Sequence, residues 1–311
     1  MSIKILQLGP LLPAMQAVLE SRYEVHPWPE PALREAWLRE HAKDVRGVVT
    51  NGHLGMETVL ARQLPQLGIV AVNGVGYDQI DIDAMREAGI RVTNTPDVLT
   101  DDVADLAIAL MLNAMRALPA AERHLREGLW PQGAFPLTRR ASGLRYGIVG
   151  MGRIGQAIAT RLAGFGGSIA YSGPNPKDVA HDYHPDVITL AQNSDVLFIA
   201  TAASAATRSL INRPVLEALG PDGVVVNIAR GAIIDEPALI EALANGTIAG
   251  AGLDVFVDEP NVPEALRKMA NVALAPHVGS ATHETRAAMG NLMLDNLDAF
   301  FTGRDLPTPV V

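Results

Sequence analysis

Three residues suited to proton transfer and anion binding follow short apolar runs in the second half of the chain. Arg230 stands in Asn227-Ile228-Ala229-Arg230-Gly231, Glu259 lies just past Gly252-Leu253-Asp254-Val255-Phe256, and His277 closes Val272-Ala273-Leu274-Ala275-Pro276. An imidazole ordinarily titrates near ~6.5, so it can give or take a proton at neutral pH. A carboxylate beside it favours the charged ring, and a guanidinium fork grips carboxylate and carbonyl oxygens. Each of the three adjoins a Gly or Pro, residues that set turns rather than continue elements. The 311 residues include no cysteine, which excludes disulfides, thiolate nucleophiles and thiolate metal sites together. No Gly-x-Ser-x-Gly elbow or metal-spaced acid cluster appears, so no metal is expected. The chemistry must come from these three groups or from a cofactor.

A cofactor is suggested by Gly150-Met151-Gly152-Arg153-Ile154-Gly155, which ends one apolar strand pattern and opens a helical one from Gln156 to Phe165. In such a Gly-x-Gly-x-x-Gly loop the glycines allow a tight turn, close approach of a pyrophosphate, and close packing of helix on strand. The helix N-terminus then faces the phosphates. Gly150, Met151, Gly152, Arg153 and Ile154 are therefore the expected dinucleotide cradle. About 20 residues on, an acidic residue would hold the ribose 2′-hydroxyl of NAD(H). Here the chain reads Tyr171-Ser172-Gly173-Pro174-Asn175-Pro176-Lys177. No acid would repel a 2′-phosphate, and Ser172, Asn175 and Lys177 could bind one, so NADP(H) is favoured and NAD(H) is possible.

The elements that must position these residues alternate between β-branched runs and Ala/Leu-rich helical patterns, the mark of α/β folds with helix-covered parallel sheets. Strands are expected near Lys4 to Leu8, Gly47 to Thr50, Ile69 to Asn73 and Arg91 to Thr93, with helices near Leu11 to Ser21, Pro31 to His41 and Gly55 to Leu64. The rhythm breaks at Asn94 to Asp97. A long apolar helix then runs from Thr100-Asp101-Asp102 to about Arg116. Six further strands are expected, at Tyr146 to Val149, Ser168 to Tyr171, Val196 to Thr201, Val224 to Ile228, Ala249 to Leu253 and Val272 to Leu274. The last helix, His283 to Phe301, is expected to return to the first domain. The reading is two doubly wound parallel-sheet domains: a flavodoxin-like substrate domain of residues 1–98 plus 283–311, and a Rossmann cofactor domain of residues 99–282. His181 and His184 flank Asp182 in what reads as a solvated, irregular stretch.

Composition agrees with a compact protein: 48% of residues are hydrophobic and 19% charged. Thirty-four acidic against 25 basic residues leave a net charge of −9, and no Lys/Arg block offers a nucleic-acid or anionic-membrane surface. No export signal or spanning segment is read, so the cytoplasm is the expected location. An acidic exterior repels anionic substrates, and a locally placed cation such as Arg230 would have to offset that.

In order and spacing, the loop Gly150 to Gly155 and the segments around Arg230, Asp254, Glu259 and Pro276-His277-Val278-Gly279-Ser280 resemble the D-2-hydroxyacid dehydrogenases. Gly74-Val75-Gly76-Tyr77-Asp78, Thr95-Pro96-Asp97-Val98-Leu99-Thr100-Asp101-Asp102 and the closing Leu306-Pro307-Thr308-Pro309-Val310-Val311 extend the likeness to nearly the whole chain. Among subfamilies it looks most like the NADPH-dependent glyoxylate/hydroxypyruvate reductases. The resemblance implies reduction of small 2-keto acids to D-2-hydroxy acids. His277 would be the proton donor, Glu259 its partner and Arg230 the anchor for substrate oxygens.

The resemblance also implies that Val75 and Gly76 bind the substrate carboxylate from the other domain, with cleft closure completing the site. Asp254 would lie near the nicotinamide amide, the lesser alternative being a simple cap at a strand end. Thr201, Ala202, Thr207, Ile228, Ala229, Arg230, His277 and Gly279 would line the cofactor. Ala202 and Ala206 stand where relatives often carry Pro and Glu, which predicts a looser loop there. Two other functions stay open. A larger aromatic substrate such as hydroxyphenylpyruvate could be admitted or excluded by the loop Asn51 to Leu54, and a non-catalytic dinucleotide sensor could use the same fold. A homodimer is implied, with Trp130 and Phe135 in the core or at the interface.

Overall fold

The computed structural model describes residues 2–311. The chain forms two compact units, one of Met1–Leu99 with Ser280–Val311 and one of Thr100–Gly279. In the first unit five strands, β1 (Lys4–Gln7), β2 (Glu24–Pro27), β3 (Val45–Thr50), β4 (Ile69–Val72) and β5 (Arg91–Thr93), form a sheet of order β2-β1-β3-β4-β5. Every pairing is parallel. Parallel strands covered on both faces are apolar throughout, and all four residues of β4 are buried.

Leu6, Val48, Val70, Val72 and Val92 pack on one face of this sheet. Ile5, Val49, Ile69 and Ala71 pack on the other, against Met293, Leu294 and Leu297 of the helix His283–Phe301. The late helix is thus part of the first unit's core. Beyond it, Val310 N–H donates to Val92 O at 2.8 Å and Val92 N–H to Val311 O at 3.2 Å.

Four strands are expected in this region from sequence, and the structure adds β2. Its sequence, Glu-Val-His-Pro, has no apolar run because it is an edge strand, where charge and proline blunt further pairing. The helix expected from Gly55 to Leu64 shortens to Thr58–Arg62. Gly55 lies in the turn before it at φ +61°, and a Cβ there would come within 2.4 Å of Gln79 O. The segment Pro31 to His41 opens with a single tight 3₁₀ turn and continues as the helix Arg34–His41.

The second unit holds seven strands: β6 (Leu144–Val149), β7 (Gly167–Ser172), β8 (Asp182–His184), β9 (Val196–Ile199), β10 (Val224–Asn227), β11 (Gly250–Leu253) and β12 (Val272–Leu274). Their order is β12-β11-β10-β9-β6-β7-β8, again all parallel. Strand order reverses beside β6, and in open α/β sheets ligands bind past the carboxyl ends of strands at such a point. The irregular stretch expected around His181 to His184 is instead strand β8, with Ala170 opposite Asp182 and Ser172 opposite His184. Its polar residues concealed it, since an edge strand needs no apolar alternation.

The helix Thr100–Arg116 buries Val103, Ala104, Ala107, Leu110, Met111 and Met115. It lies so close to β11 that a Cβ on Gly252 would be 2.9 Å from Leu110 Cβ. Arg161, on the helix Arg153–Leu162, ties the two helices together by reaching Asp101 at 3.0 Å and Asp105 at 2.5 Å. Among the described residues no single helix is long and apolar enough to cross a membrane.

Candidate active site

The glycine loop follows β6 directly. Gly150 adopts φ +100° and donates its N–H to Ser172 O at 2.8 Å, and a Cβ there would be 2.7 Å from the Thr201 backbone. A Cβ on Gly155 would be 2.1 Å from Gly150 O, so only glycine lets the helix Arg153–Leu162 start this close to the strand. Gly152, the residue before that helix, differs: nothing lies within 4 Å of its Cβ position. Packing therefore explains two of the three glycines, while the third borders open space at a helix N-terminus, whose first N–H groups have no partners within the helix.

Ser172 ends β7 and is buried, whereas Asn175 and Lys177 are exposed in the following turn. The backbone N–H of Lys177 donates to the Tyr171 hydroxyl at 2.6 Å, which holds the turn against the strand end. Thr201 and Ala202 follow β9. The loop expected to be loose there is stitched closed by Thr207, whose hydroxyl donates to Ala202 O at 2.8 Å and accepts from Ser204 N–H at 2.8 Å.

Arg230, Glu259 and His277 follow the adjacent strands β10, β11 and β12. Asn227, the fully buried last residue of β10, shapes the first turn: its side chain accepts from Ala229 N–H at 3.0 Å and donates to Arg230 O at 2.9 Å. The Arg230 guanidinium in turn donates to Ala229 O at 2.8 Å. Asn227 O also accepts from Asp254 N–H. Gly231 lets this turn rest on the next, since a Cβ there would be 2.0 Å from the Phe256 carbonyl carbon. Phe256 N–H donates to Glu259 Oε1 at 2.9 Å, and Glu259 Oε2 meets His277 Nδ1 at 2.6 Å. Glu259 is largely covered while the His277 ring is 41% exposed. With Glu259 ionised, Nδ1 carries the hydrogen and Nε2 remains the nitrogen available to a ligand.

Asp254 holds the backbone that carries this histidine. Its carbonyl accepts from His277 N–H at 2.8 Å, and its two carboxylate oxygens accept from Val278 N–H at 2.8 Å and Gly279 N–H at 2.9 Å. His277 itself sits in the left-handed region at φ +53°, a conformation that non-glycine residues keep only when their surroundings enforce it. Asp254 is 1% exposed, and burial raises its carboxyl above the usual carboxylate range while the two loop N–H groups pull the other way.

In the first unit, Val75 and Gly76 follow β4 in a half-buried loop. Asn94 Nδ2 donates to Val75 O at 2.9 Å, and Thr95 N–H donates to Gly74 O at 2.9 Å. Among the described residues the N–H groups of Val75 and Gly76 meet no backbone acceptor. Sequence reasoning passes over Asn94, Asn227 and Gly231 as site builders. A signal for the last two exists, because they bracket Arg230 within five residues; for Asn94 there is none, because its partners are remote in sequence.

The family model described as the NAD binding domain of D-isomer specific 2-hydroxyacid dehydrogenases matches residues 108–279. The chain belongs to the D-isomer specific 2-hydroxyacid dehydrogenase family. It is 47% identical to a glyoxylate/hydroxypyruvate reductase A of Arabidopsis thaliana, covering 100% of this chain and 99% of the relative. It is 45% identical to a hydroxyphenylpyruvate reductase of Plectranthus scutellarioides, with the same coverage. Among solved structures, the NADPH-dependent glyoxylate/hydroxypyruvate reductase of Sinorhizobium meliloti in complex with NADP and malonate superposes with a TM-score of 0.92 at 44% identity, over 100% of this chain and 97% of that one.

Proposed function

We propose that this chain is an NADPH-preferring reductase of small 2-keto acids such as glyoxylate and hydroxypyruvate, giving D-2-hydroxy acids where the product is chiral. The observation that carries this reading is the His277–Glu259 pair past the ends of β12 and β11, with Arg230 past the end of the neighbouring β10. The Arabidopsis and Sinorhizobium relatives bear names that fit it. The second unit is assigned to the dinucleotide and the first to substrate. A dinucleotide fits the glycine loop, because Gly152 borders open space at a helix N-terminus. With no acid at the end of β7, Ser172, Asn175 and Lys177 favour a 2′-phosphate.

The chemistry a bound nicotinamide supplies is hydride donation to the keto carbon. His277 Nε2 would give its proton to the carbonyl oxygen as charge develops there, with Glu259 holding Nδ1 and stabilising the cationic ring. Arg230 would bind the carboxylate and carbonyl oxygens, with Val75 and Gly76 N–H as further donors to the carboxylate. Met151, Arg153, Ile154, Thr201, Ala202, Thr207, Ile228, Ala229 and Gly279 are assigned to the cofactor path. Asp254 is assigned to the nicotinamide end, where its loop contacts make it first a positioning residue for His277.

A matrix of keto acids against NADH and NADPH tests this directly. Oxidation of NADPH by glyoxylate or hydroxypyruvate is expected, and no turnover of any keto acid with either cofactor would overturn it. Aromatic 2-keto acids are a second reading, favoured by the Plectranthus relative and by Leu54, which is half exposed. A kcat/KM higher for hydroxyphenylpyruvate than for glyoxylate would select it. We also propose a homodimer in the cytoplasm. The exposed Leu118, Leu125, Trp130 and Leu137 offer an apolar surface for the pairing, and a monomeric mass in light scattering would contradict it.

A further inference from the structure

We infer that Thr308 and Asn94 form a relay that positions the Val75–Gly76 loop for the substrate carboxylate, so that a residue close to the C-terminal end of the chain tunes substrate affinity. The inference rests on the proposed role of the Val75 and Gly76 N–H groups. Asn94 follows β5 and is 9% exposed, and its side-chain amide spends a donor on the Val75 carbonyl at 2.9 Å. A carbonyl fixed in this way fixes the peptide plane, and with it the direction of the Gly76 N–H on the same peptide unit.

Asn94 is itself held at both of its backbone groups by one residue. Its N–H donates to Thr308 O at 3.4 Å, and its carbonyl accepts from the Thr308 hydroxyl at 2.6 Å. Thr308 is locked in turn by Asn296, an amide with 0% exposure on the helix His283–Phe301. Asn296 Nδ2 donates to Thr308 Oγ1 at 2.7 Å, and Asn296 Oδ1 accepts from Thr308 N–H at 3.1 Å. A buried asparagine in the apolar face of a helix is costly unless its polar atoms are satisfied. Here both ends of the amide go to one threonine, and that threonine's only side-chain donor goes to the residue gripping Val75.

The Thr308 hydroxyl is the joint of the relay, because it accepts from Asn296 and donates to Asn94 at once. Thr308→Val removes that hydroxyl at constant shape. The expected result is a rise of about 3–10-fold in KM for glyoxylate, with kcat within about twofold and NADPH affinity by fluorescence titration unchanged, since a single hydrogen bond is worth about 1 kcal/mol. Thr308→Ser keeps the hydroxyl and is expected to restore the wild-type KM. A merely structural role would lower the melting temperature without dividing KM from kcat. Asn94→Ala, which releases Val75 directly, is expected to raise KM further, by about 10–100-fold.

Wild-type KM values in both Thr308→Val and Asn94→Ala would overturn the relay. Should Asn94→Ala fail to fold, the Thr308 Val/Ser pair decides alone. Gly76→Pro, which deletes the N–H itself, separates the two levels of the argument. If it leaves KM unchanged, the Val75–Gly76 reading fails; if it raises KM while the relay variants do not, only the relay fails.

Discussion

The loop that carries His277 and the loop that carries Val75 and Gly76 both follow parallel strands, yet they are fixed by opposite chemistry. The first is clamped by a buried carboxylate, Asp254, from the neighbouring strand β11, and is bent through a left-handed residue. The second is held by neutral amides and a hydroxyl, drawn partly from a segment more than 200 residues later. A buried carboxyl that takes two successive loop N–H groups enforces a strained backbone, which suits a group proposed to meet a reacting atom at one angle. A relay of amides and a hydroxyl is independent of pH over the carboxylate range, which suits donors proposed only to bind. The difference predicts that damage to the first loop appears in kcat and damage to the second in KM.

The largest effect is expected at His277, the proposed proton donor. His277→Ala should lower kcat about 10²–10⁴-fold while NADPH titration stays close to wild type, and near-normal turnover would remove His277 from the mechanism. Next comes its clamp. Asp254→Ala leaves two loop N–H groups without their acceptor, so unfolding free energy should fall by about 1–3 kcal/mol and kcat by about 10-fold or more; a variant changed in KM alone would break the contrast drawn above. Asn296→Leu, on the neutral side, should lower stability by about 1–3 kcal/mol through the orphaned Thr308 groups and raise KM for glyoxylate with kcat little altered.

The smallest effect is a dependence on pH that only the charged clamp should show. Burial raises the Asp254 carboxyl in the fold, so its contribution to stability is fullest at low pH and diminishes as pH rises through its folded pKa. Wild type should therefore gain stability relative to Asp254→Asn as pH falls from the raised folded pKa of Asp254 to the ordinary aspartate value, as read by urea denaturation. Thr308→Val should show a pH-independent difference from wild type.

The α/β class, the glycine loop and the positions of Arg230, Glu259 and His277 were legible in sequence because each rests on local pattern: apolar runs, glycines at fixed offsets, a turn residue beside each polar one. Strands β2 and β8 were not, since Glu-Val-His-Pro and Asp-Tyr-His obtain their partners from one side only and need no apolar alternation. Asp254 was visible as a residue but its work was not, because its partners at Val278 and Gly279 are defined by the pairing of β11 with β12. The compact loop at Thr207 shows the same limit: a single hydroxyl supplies the order that the alanines at 202 and 206 are expected to remove.

The division of the first unit between residues 1–99 and 280–311 has a consequence in time. As the chain leaves the ribosome, the second unit is contiguous and can close while synthesis continues. The first five strands emerge earlier but wait for the helix His283–Phe301, whose Met293, Leu294 and Leu297 complete one side of their core. At about 5–20 residues per second that interval is on the order of 10–40 s, during which the apolar face of Ile5, Val49, Ile69 and Ala71 lacks its cover. The oldest part of the polypeptide is thus the last to finish, and its apolar face stays uncovered for as long as the second unit takes to be made.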